Sequence, residues 1–550
     1  MTRAIEVPEA DAGGREGEQG APRRPGGVSL GVAVGVVAAA GVAVRMVGLT
    51  ERSLWFDEAM SWRTLGFPWG EMFARIARNT HAPLHYVVLR GWTAAFGDSI
   101  WALRLHSVAL AAATIVVLYL FVAEAFRLDA RTDDQAVQGA SRGRFAGLAA
   151  AALFAASGYQ IRLAWEVRMY ALAVLLAVAS SWLLMRALRR ERSFAAWGAS
   201  AVATLLLLYT HYFALFTAAA QAVFVGGWIL ADARGRPWRA LRRPLLYRVA
   251  VAYGMVAAGW AVWLPVFLRQ RQMVARGWWT PPFSWPEVGR IVHEMLLSIE
   301  AVPPSAWLAV LLAIGSAAVI AAAACRGGTA GRYAALLAVL PFAAAVWVSS
   351  TGTNLLVARF FACMQPFLLV AAAMLLARVR WMRLRAALLA AAVAALLGAH
   401  VRHIEATGIF RRPGMRAAVA HLEAHRGAGE AVFAETTMLY YPALYYAEDR
   451  EHWHVIHEGA VPYFIGGPVV RPGEVVSPCM LLEVEGPRVW VLSDGGAQPA
   501  ALPAHWRFER VARFAGAAPF QWYVTASSFL VEAAEEGSVP GPEPSGRGQP

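Results

Sequence analysis

The sequence lacks lysine altogether, so its 50 basic residues are all arginines. Charge of either sign is scarce: 16% of residues are charged, against about 25% in an ordinary soluble domain. That shortfall argues against a purely soluble chain. There are three cysteines. Cys325 and Cys363 fall near or within apolar runs, so neither a disulfide framework nor a zinc cluster is indicated. No P-loop, dinucleotide-binding glycine fingerprint, HExxH or GxSxG in a suitable context occurs. A nucleotide-driven pump or a cytosolic nucleotide-sugar enzyme is therefore unsupported.

What is abundant is apolar. Of the 550 residues, 58% are hydrophobic, and the mean hydropathy is +0.45. Aromatics make up 11%, with 22 tryptophans. Tryptophan favours membrane–water interfaces and sugar-stacking surfaces. The net charge of +13 would suggest nucleic acid in a soluble protein. Here the arginines sit between apolar runs, as topology signals and contacts to anionic lipid do.

A span needs roughly 20 apolar residues. The pattern predicts an all-α polytopic membrane protein with about eleven transmembrane helices. They are placed at 28–48, 103–123, 145–160, 168–188, 194–210, 212–231, 247–268, 306–324, 333–350, 360–377 and 384–401. The first run is too long for a signal-peptide core and reads as a signal anchor. Residues 1–27 are polar and Gly/Pro-rich, as a disordered cytoplasmic tail is. The region 28–401 forms the membrane domain, with a first outer loop at 49–102. Residues 402–533 have soluble character and read as a small extracytoplasmic α/β domain, followed by a disordered tail at 534–550. Within the soluble part, Arg412–His425 and Met438–Tyr446 read as helices. Ala431–Ala434, Val489–Leu492 and Trp522–Val524 read as strands.

Orientation follows from arginine placement. With the N-terminus in the cytoplasm, the arginine-rich loops also fall there, provided the short apolar stretch 82–97 does not cross. That stretch, interrupted by His85 and Arg90, is expected to lie against the outer surface or re-enter it. The chain is then a multi-pass protein of the plasma membrane, with its polar motifs on the outer side.

Those motifs are few. Leu54-Trp55-Phe56-Asp57-Glu58 places two adjacent carboxylates after an aromatic pair. They are either a solvated loop pair or a general base or metal ligand at the membrane surface. Adjacent residues point in different directions, so the two need not share a task. Arg162, Glu166 and Tyr170 fall at i, i+4 and i+8 if helical. They either stabilise a helix start or, with Arg168, position a ligand. Thr210-His211-Tyr212 joins two apolar runs, where His211 either bonds a helix end or touches a polar ligand. Arg359 precedes an apolar run and either snorkels or pairs with a phosphate. The loop 269–305, with Trp278, Trp279 and Trp285, is an interfacial anchor or a gate for a lipid-linked substrate.

Taken in order, several pieces carry a family resemblance over about residues 30–450. They are Trp55-Phe56-Asp57-Glu58, His81-Ala82-Pro83-Leu84-His85-Tyr86, Phe96-Gly97-Asp98 with Arg104, Trp165 to Leu172, His211-Tyr212-Phe213 and Arg359-Phe360. The chain resembles the GT-C membrane glycosyltransferases, specifically the bacterial dolichyl-phosphate-mannose-protein mannosyltransferase-like family and its aminoarabinose-transferase relatives. The resemblance implies a polyprenyl-phosphate-linked sugar donor and inverting transfer to an acceptor hydroxyl on the extracytoplasmic face. It assigns the base to Asp57, matches Glu58 to a second acid, and sets Arg359 near the donor phosphate. Glu166, Arg168, Tyr170, His211 and Tyr212 become substrate-binding candidates, with His81 and His85 as candidate donor or acceptor contacts. Ala82 and His85 depart from the Pro-Pro and Tyr-Tyr that the family often carries there. No cofactor is implied, and a divalent metal is left open. The acceptor is protein, lipid or polysaccharide.

The competing reading is a transporter or flippase of a lipid-linked saccharide. The two part on geometry. Catalysis requires Asp57, Arg359 and the Glu166–Arg168 segment around one cavity.

Overall fold

The computed structural model describes residues 27–129, 133–232, 244–298, 305–411, 414–484, 486–494, 502–503, 505–518 and 521–531. The tails expected at 1–27 and from 534 onward lie outside the described residues, apart from Gly27.

The membrane part is helical. It comprises α1 (Gly27–Met46), α2 (Phe56–Leu65), α3 (Trp69–Ala77), α4 (Leu84–Phe96), α5 (Ile100–Asp129), α6 (Asp133–Ala156), α7 (Gly158–Ala164), α8 (Tyr170–Arg189), α9 (Phe194–Leu208) and α10 (Ala214–Asp232). It continues through α11 (Pro244–Ala261), α12 (Leu264–Arg276), α13 (Trp285–Leu297), α14 (Ala306–Arg326), α15 (Gly328–Thr351), α16 (Gln365–Leu376) and α17 (Met382–Thr407). Six of these, α5, α8, α10, α14, α15 and α17, are long and apolar enough to cross a membrane. The bent pair α11–α12 would make a seventh span, and α1, α9 and α16 are apolar but shorter. A helix lies on each of the expected spans.

Three expected helices are interrupted, each for a local reason. The run 247–268 bends by 64° between α11 and α12. Pro265 opens α12 and has no N–H to give to the carbonyl of Ala261, where α11 stops. The run 145–160 breaks after Ala156, because the Ser157 side chain accepts the Gln160 N–H and caps α7. Gly158 is needed there: a Cβ would lie 2.9 Å from His400 Cβ and 3.0 Å from Ser298 Cβ. The run 360–377 is helical from Gln365, after a 3₁₀ turn at Ala358–Phe361.

The stretch 82–97 forms the 13-residue helix α4. It buries His85, Tyr86 and Leu89 and is not among the helices long enough to cross.

The C-terminal part is α/β. α18 (Gly414–His425) and α19 (Thr437–Tyr446) pack beside a six-stranded sheet. Its strands are β1 (Val432–Ala434), β2 (Trp453–Ile456), β3 (Val475–Val476), β4 (Arg488–Ser493), β5 (Trp506–Ala518) and β6 (Gln521–Val531), in the order β3-β2-β1-β4-β6-β5. The first four are parallel, with Val432 opposite both Trp453 and Trp490, and the last two are antiparallel. β2 and β3, of four and two residues, are too short to be read from sequence, and the alternation that opens β5 at Trp506–Glu509 is broken by a register shift between Phe508 and Arg510.

This domain does not hang free. Its Tyr440, Tyr441 and Trp453 share one apolar core with Leu54, Trp55, Phe56 and Met60 of the first outer segment. Phe56 and Tyr441 lie 6.1 Å apart. Gly48, at φ +65°, turns the chain out of α1, where a Cβ would overlap the Phe410 ring.

Candidate active site

α2 positions the site. It opens on Trp55 and carries Asp57 and Glu58 in its first turn. Successive helical residues are about 100° apart, so the two acids leave in different directions.

Glu58 goes inward and is fully buried. Arg104 grips it with Nε to Oε1 at 3.0 Å and Nη2 to Oε2 at 2.9 Å. Arg52 adds a contact at 3.2 Å. The backbone N–H groups of Trp55 and Val167 each donate to it at 3.2 Å. The Trp55 bond is the returning half of a capping box. These contacts hold the Glu58 carboxyl below its ordinary value: burial works against ionisation, and Arg104 and then Arg52 outweigh it.

Asp57 faces a cavity of about 420 Å³. Its Oδ2 lies 3.6 Å from Arg359 Nη2 and 3.8 Å from Arg168 Nη2. Among the described residues its carboxylate accepts no hydrogen bond. Arg168 is held by Asp57 O at 3.2 Å and Ser61 Oγ at 3.3 Å. Arg359 comes from the 3₁₀ turn before α16 and lies over the rings of Trp55 and Trp279, at 5.4 and 5.7 Å.

Two histidines line the same space. Arg168 Nη2 is 3.1 Å from His81 Nε2. A guanidinium only donates, so His81 Nε2 accepts and its proton sits on Nδ1. The neutral form agrees with a titration held well below the usual histidine range, by burial first and then by Arg168. His211 Nδ1 accepts the Phe213 N–H at 3.2 Å, leaving Nε2–H as the donor. Burial lowers His211 to about 3.

Tyr170 and Tyr212 complete the polar wall. Tyr212 bonds to Gln270, and Trp263 Nε1 donates to the Tyr212 hydroxyl at 2.9 Å. The cavity is also lined by Arg271 and by apolar side chains that include Phe213, Phe216, Val348, Leu355 and Phe360.

Of the sequence candidates, Asp57, His81, Arg168, Tyr170, His211, Tyr212 and Arg359 line this cavity. Three do not. Glu58 is held in the arginine knot behind α2. His85 is fully buried on α4, its ring 6.0 Å from that of His106. Glu166 is 9% exposed, in the turn between α7 and α8, and its Oε2 is buried without a hydrogen bond. Burial pushes the Glu166 carboxyl up to about 7. The expected helical alignment of Arg162, Glu166 and Tyr170 is not formed, because α7 ends at Ala164. Arg162 instead pairs with Glu294 of α13.

Residues not singled out in the sequence also contribute. Gln270 fixes Tyr212 and donates to Ile76 O at 2.9 Å. Tyr463 and Phe464 of the C-terminal domain line the cavity. The Tyr463 hydroxyl bonds to Gly277 O and, at 3.3 Å, to Met273 O. No local pattern marks these residues, since their contacts join positions 58 to 194 apart in sequence. Among the described residues, no group of three or more His, Cys, Asp or Glu side chains is placed to hold a metal ion.

No protein-family profile matches the sequence, and no curated protein matches it. Solved structures do. The chain is similar to ArnT from Cupriavidus metallidurans bound to undecaprenyl phosphate, at 14% identity and a TM-score of 0.42, over 90% of this chain and 97% of that one. It is similar to the Archaeoglobus fulgidus oligosaccharyltransferase in its apo form, at 12% identity and a TM-score of 0.47, over 75% of this chain and 64% of that one. A third similarity is to the S. cerevisiae Pmt1–Pmt2 protein O-mannosyltransferase complex bound to the sugar donor, at 16% identity and a TM-score of 0.32, over 44% and 33%.

Proposed function

We propose that this chain is a membrane glycosyltransferase of the GT-C class. It takes a sugar from a polyprenyl-phosphate carrier and gives it to an acceptor hydroxyl at the extracytoplasmic face. The observation that carries this reading is the convergence of Asp57, Arg168 and Arg359 in one cavity. Its lining holds one carboxylate, Asp57, and three guanidiniums, of which Arg168 and Arg359 stand beside that carboxylate and Arg271 is a further cation. The same lining carries many aromatic and aliphatic side chains, among them Phe213, Phe216, Val348, Leu355 and Phe360, which suit a prenyl chain.

The division of labour follows from the groups. Arg359 and Arg168 hold the donor phosphate through charge-assisted hydrogen bonds. The acceptor O–H attacks the anomeric carbon from the face opposite that phosphate, and its proton passes to Asp57. The bond between the anomeric carbon and the phosphate oxygen breaks, and the polyprenyl phosphate leaves with the electron pair. A phosphate beside two guanidiniums is a good leaving group and needs little acid help. A hydroxyl does need a base, which typically supplies about 10²–10⁴-fold. His81 is neutral and holds Arg168 in place, and His211 offers its Nε2–H to the sugar. Glu58 sets the angle of α2 and touches no reactant.

The test is release of polyprenyl phosphate by the purified full chain in lipid nanodiscs, supplied in turn with polyprenyl-phosphate-linked hexoses and pentoses and an envelope extract as acceptor. One donor should turn over with inversion at the anomeric carbon. Movement of intact carrier-linked sugar between leaflets, with no release from any donor, would support the transporter instead.

A further inference from the structure

A second cavity, of about 820 Å³, lies where the first outer segment meets the C-terminal domain. It is walled by Trp62 and Arg63 from the far end of α2, Asp98 from the turn before α5, and Arg450, Glu451 and Arg471 from the C-terminal domain. Asp57 leaves α2 near its start, toward the first cavity, so one helix serves both. The Tyr445 hydroxyl donates to Asp98 O at 3.0 Å, and the Tyr445 ring meets Trp62 edge-on at 5.2 Å. The junction is therefore built rather than loose.

The cations here are unevenly satisfied. Arg63 is paired with Glu474, whose other oxygen accepts the Arg471 backbone N–H at 2.8 Å. Arg90 donates to Phe67 O at 2.7 Å. Arg450 and Arg471 are exposed. Their guanidiniums lie over Trp62 at 5.0 Å and Phe67 at 5.1 Å. Among the described residues neither guanidinium has a carboxylate partner or a hydrogen-bond acceptor. Arg471 is held below its ordinary value, first by the partial loss of its water shell and then by the Arg63 charge. Stacking on aromatic faces fixes both cations while leaving their N–H groups unused.

Unused acceptors stand beside them. Asp98 accepts the Trp62 indole N–H at 2.9 Å through Oδ2, and among the described residues its Oδ1 accepts no hydrogen bond. The Glu451 carboxylate is exposed and carries no hydrogen bond among the described residues. A bare anion would meet repulsion from these carboxylates. A polyhydroxylated ligand with one anionic group satisfies both sets, its anion on the guanidiniums and its hydroxyls on the carboxylates. The volume falls in the range of small-molecule sites, about 300–1,000 Å³.

We propose that this second cavity binds an anionic saccharide, a sugar bearing a carboxylate or a phosphate, through Arg450 and Arg471 on its anion and Asp98 and Glu451 on its hydroxyls. The inference does not rest on the transferase reading, because binding is measured without turnover.

The test is calorimetric titration of the purified full chain with four probes: glucuronate, glucose 6-phosphate, glucose and inorganic phosphate. One or both anionic sugars should bind saturably, the stronger of them identifying carboxylate or phosphate as the preferred group. Glucose and inorganic phosphate should each bind at least about tenfold more weakly. Arg450→Gln and Arg471→Gln should each weaken binding about tenfold, at an unchanged melting temperature. Glu451→Gln should weaken it less, and Arg359→Gln, in the first cavity, should leave it unchanged. The proposal is overturned if neither anionic sugar binds, if glucose or phosphate binds as tightly, or if binding survives Arg450→Gln/Arg471→Gln. Loss of binding in Arg359→Gln would assign the probe to the first cavity and overturn it as well.

Discussion

Asp57 and Glu58 are the same chemistry one residue apart, on two faces of one helix. Behind α2, Glu58 is fully buried and receives bonds from Arg104, Arg52 and two backbone N–H groups. In front, Asp57 faces open cavity, with two guanidiniums at 3.6 and 3.8 Å and no hydrogen bond among the described residues. A carboxylate whose lone pairs are all engaged orients its surroundings. One with unused lone pairs beside a cavity can accept a proton from something that enters. The back of the helix is built for rigidity, and the front leaves a carboxylate open to the cavity, as the proposed base role requires.

That contrast is open to attack by substitution. The largest stability effect belongs to the back face. Glu58→Ala leaves Arg104 buried without its carboxylate, and breaking a buried pair this way costs about 3–5 kcal/mol. Thermal melts in detergent should show a large drop, with activity lost only as folded protein is lost. On the front face, Arg359→Gln removes a charge-assisted contact worth about 1.5–3 kcal/mol. It should lower kcat/KM for the donor by about 10–100-fold at an unchanged melting temperature.

Glu166 gives a pH-dependent effect with a definite sign. Its carboxyl sits at about 7 in the folded chain, against an ordinary value of 4.5. The folded state therefore holds the proton more tightly, and stability declines as pH rises from about 4.5 through about 7. Above that the loss is complete. Glu166→Gln should remove this dependence, so that melts at pH 5, 6, 7 and 8 flatten relative to wild type. The smallest effect is at the edge of the cavity. Tyr463→Phe deletes the hydroxyl that ties the C-terminal domain to the Gly277 and Met273 carbonyls. It should lower stability by about 1 kcal/mol.

Much of this was legible in the sequence. Apolar run lengths located the helices, and the order of short motifs pointed to Asp57, Arg168, His211 and Arg359. The readings that failed did so where one residue overruled a long pattern. Pro265 bends an otherwise continuous span, and Ser157 with Gly158 breaks another. The alignment of Arg162 with Glu166 assumed a helix that ends at Ala164. Tyr463, Gln270 and the partnering of Glu58 by Arg104 were out of reach for a different reason. Contacts spanning 46 to 194 positions leave no periodic trace, and only packing brings them together.

The most direct measurement is turnover of Asp57→Asn beside Glu58→Gln, compared at equal amounts of folded protein, with melting temperatures recorded for both. Asp57→Asn should lose about 10²–10⁴-fold in turnover at the wild-type melting temperature, while Glu58→Gln should lose stability first. Near-wild-type turnover in Asp57→Asn would contradict the proposed base role.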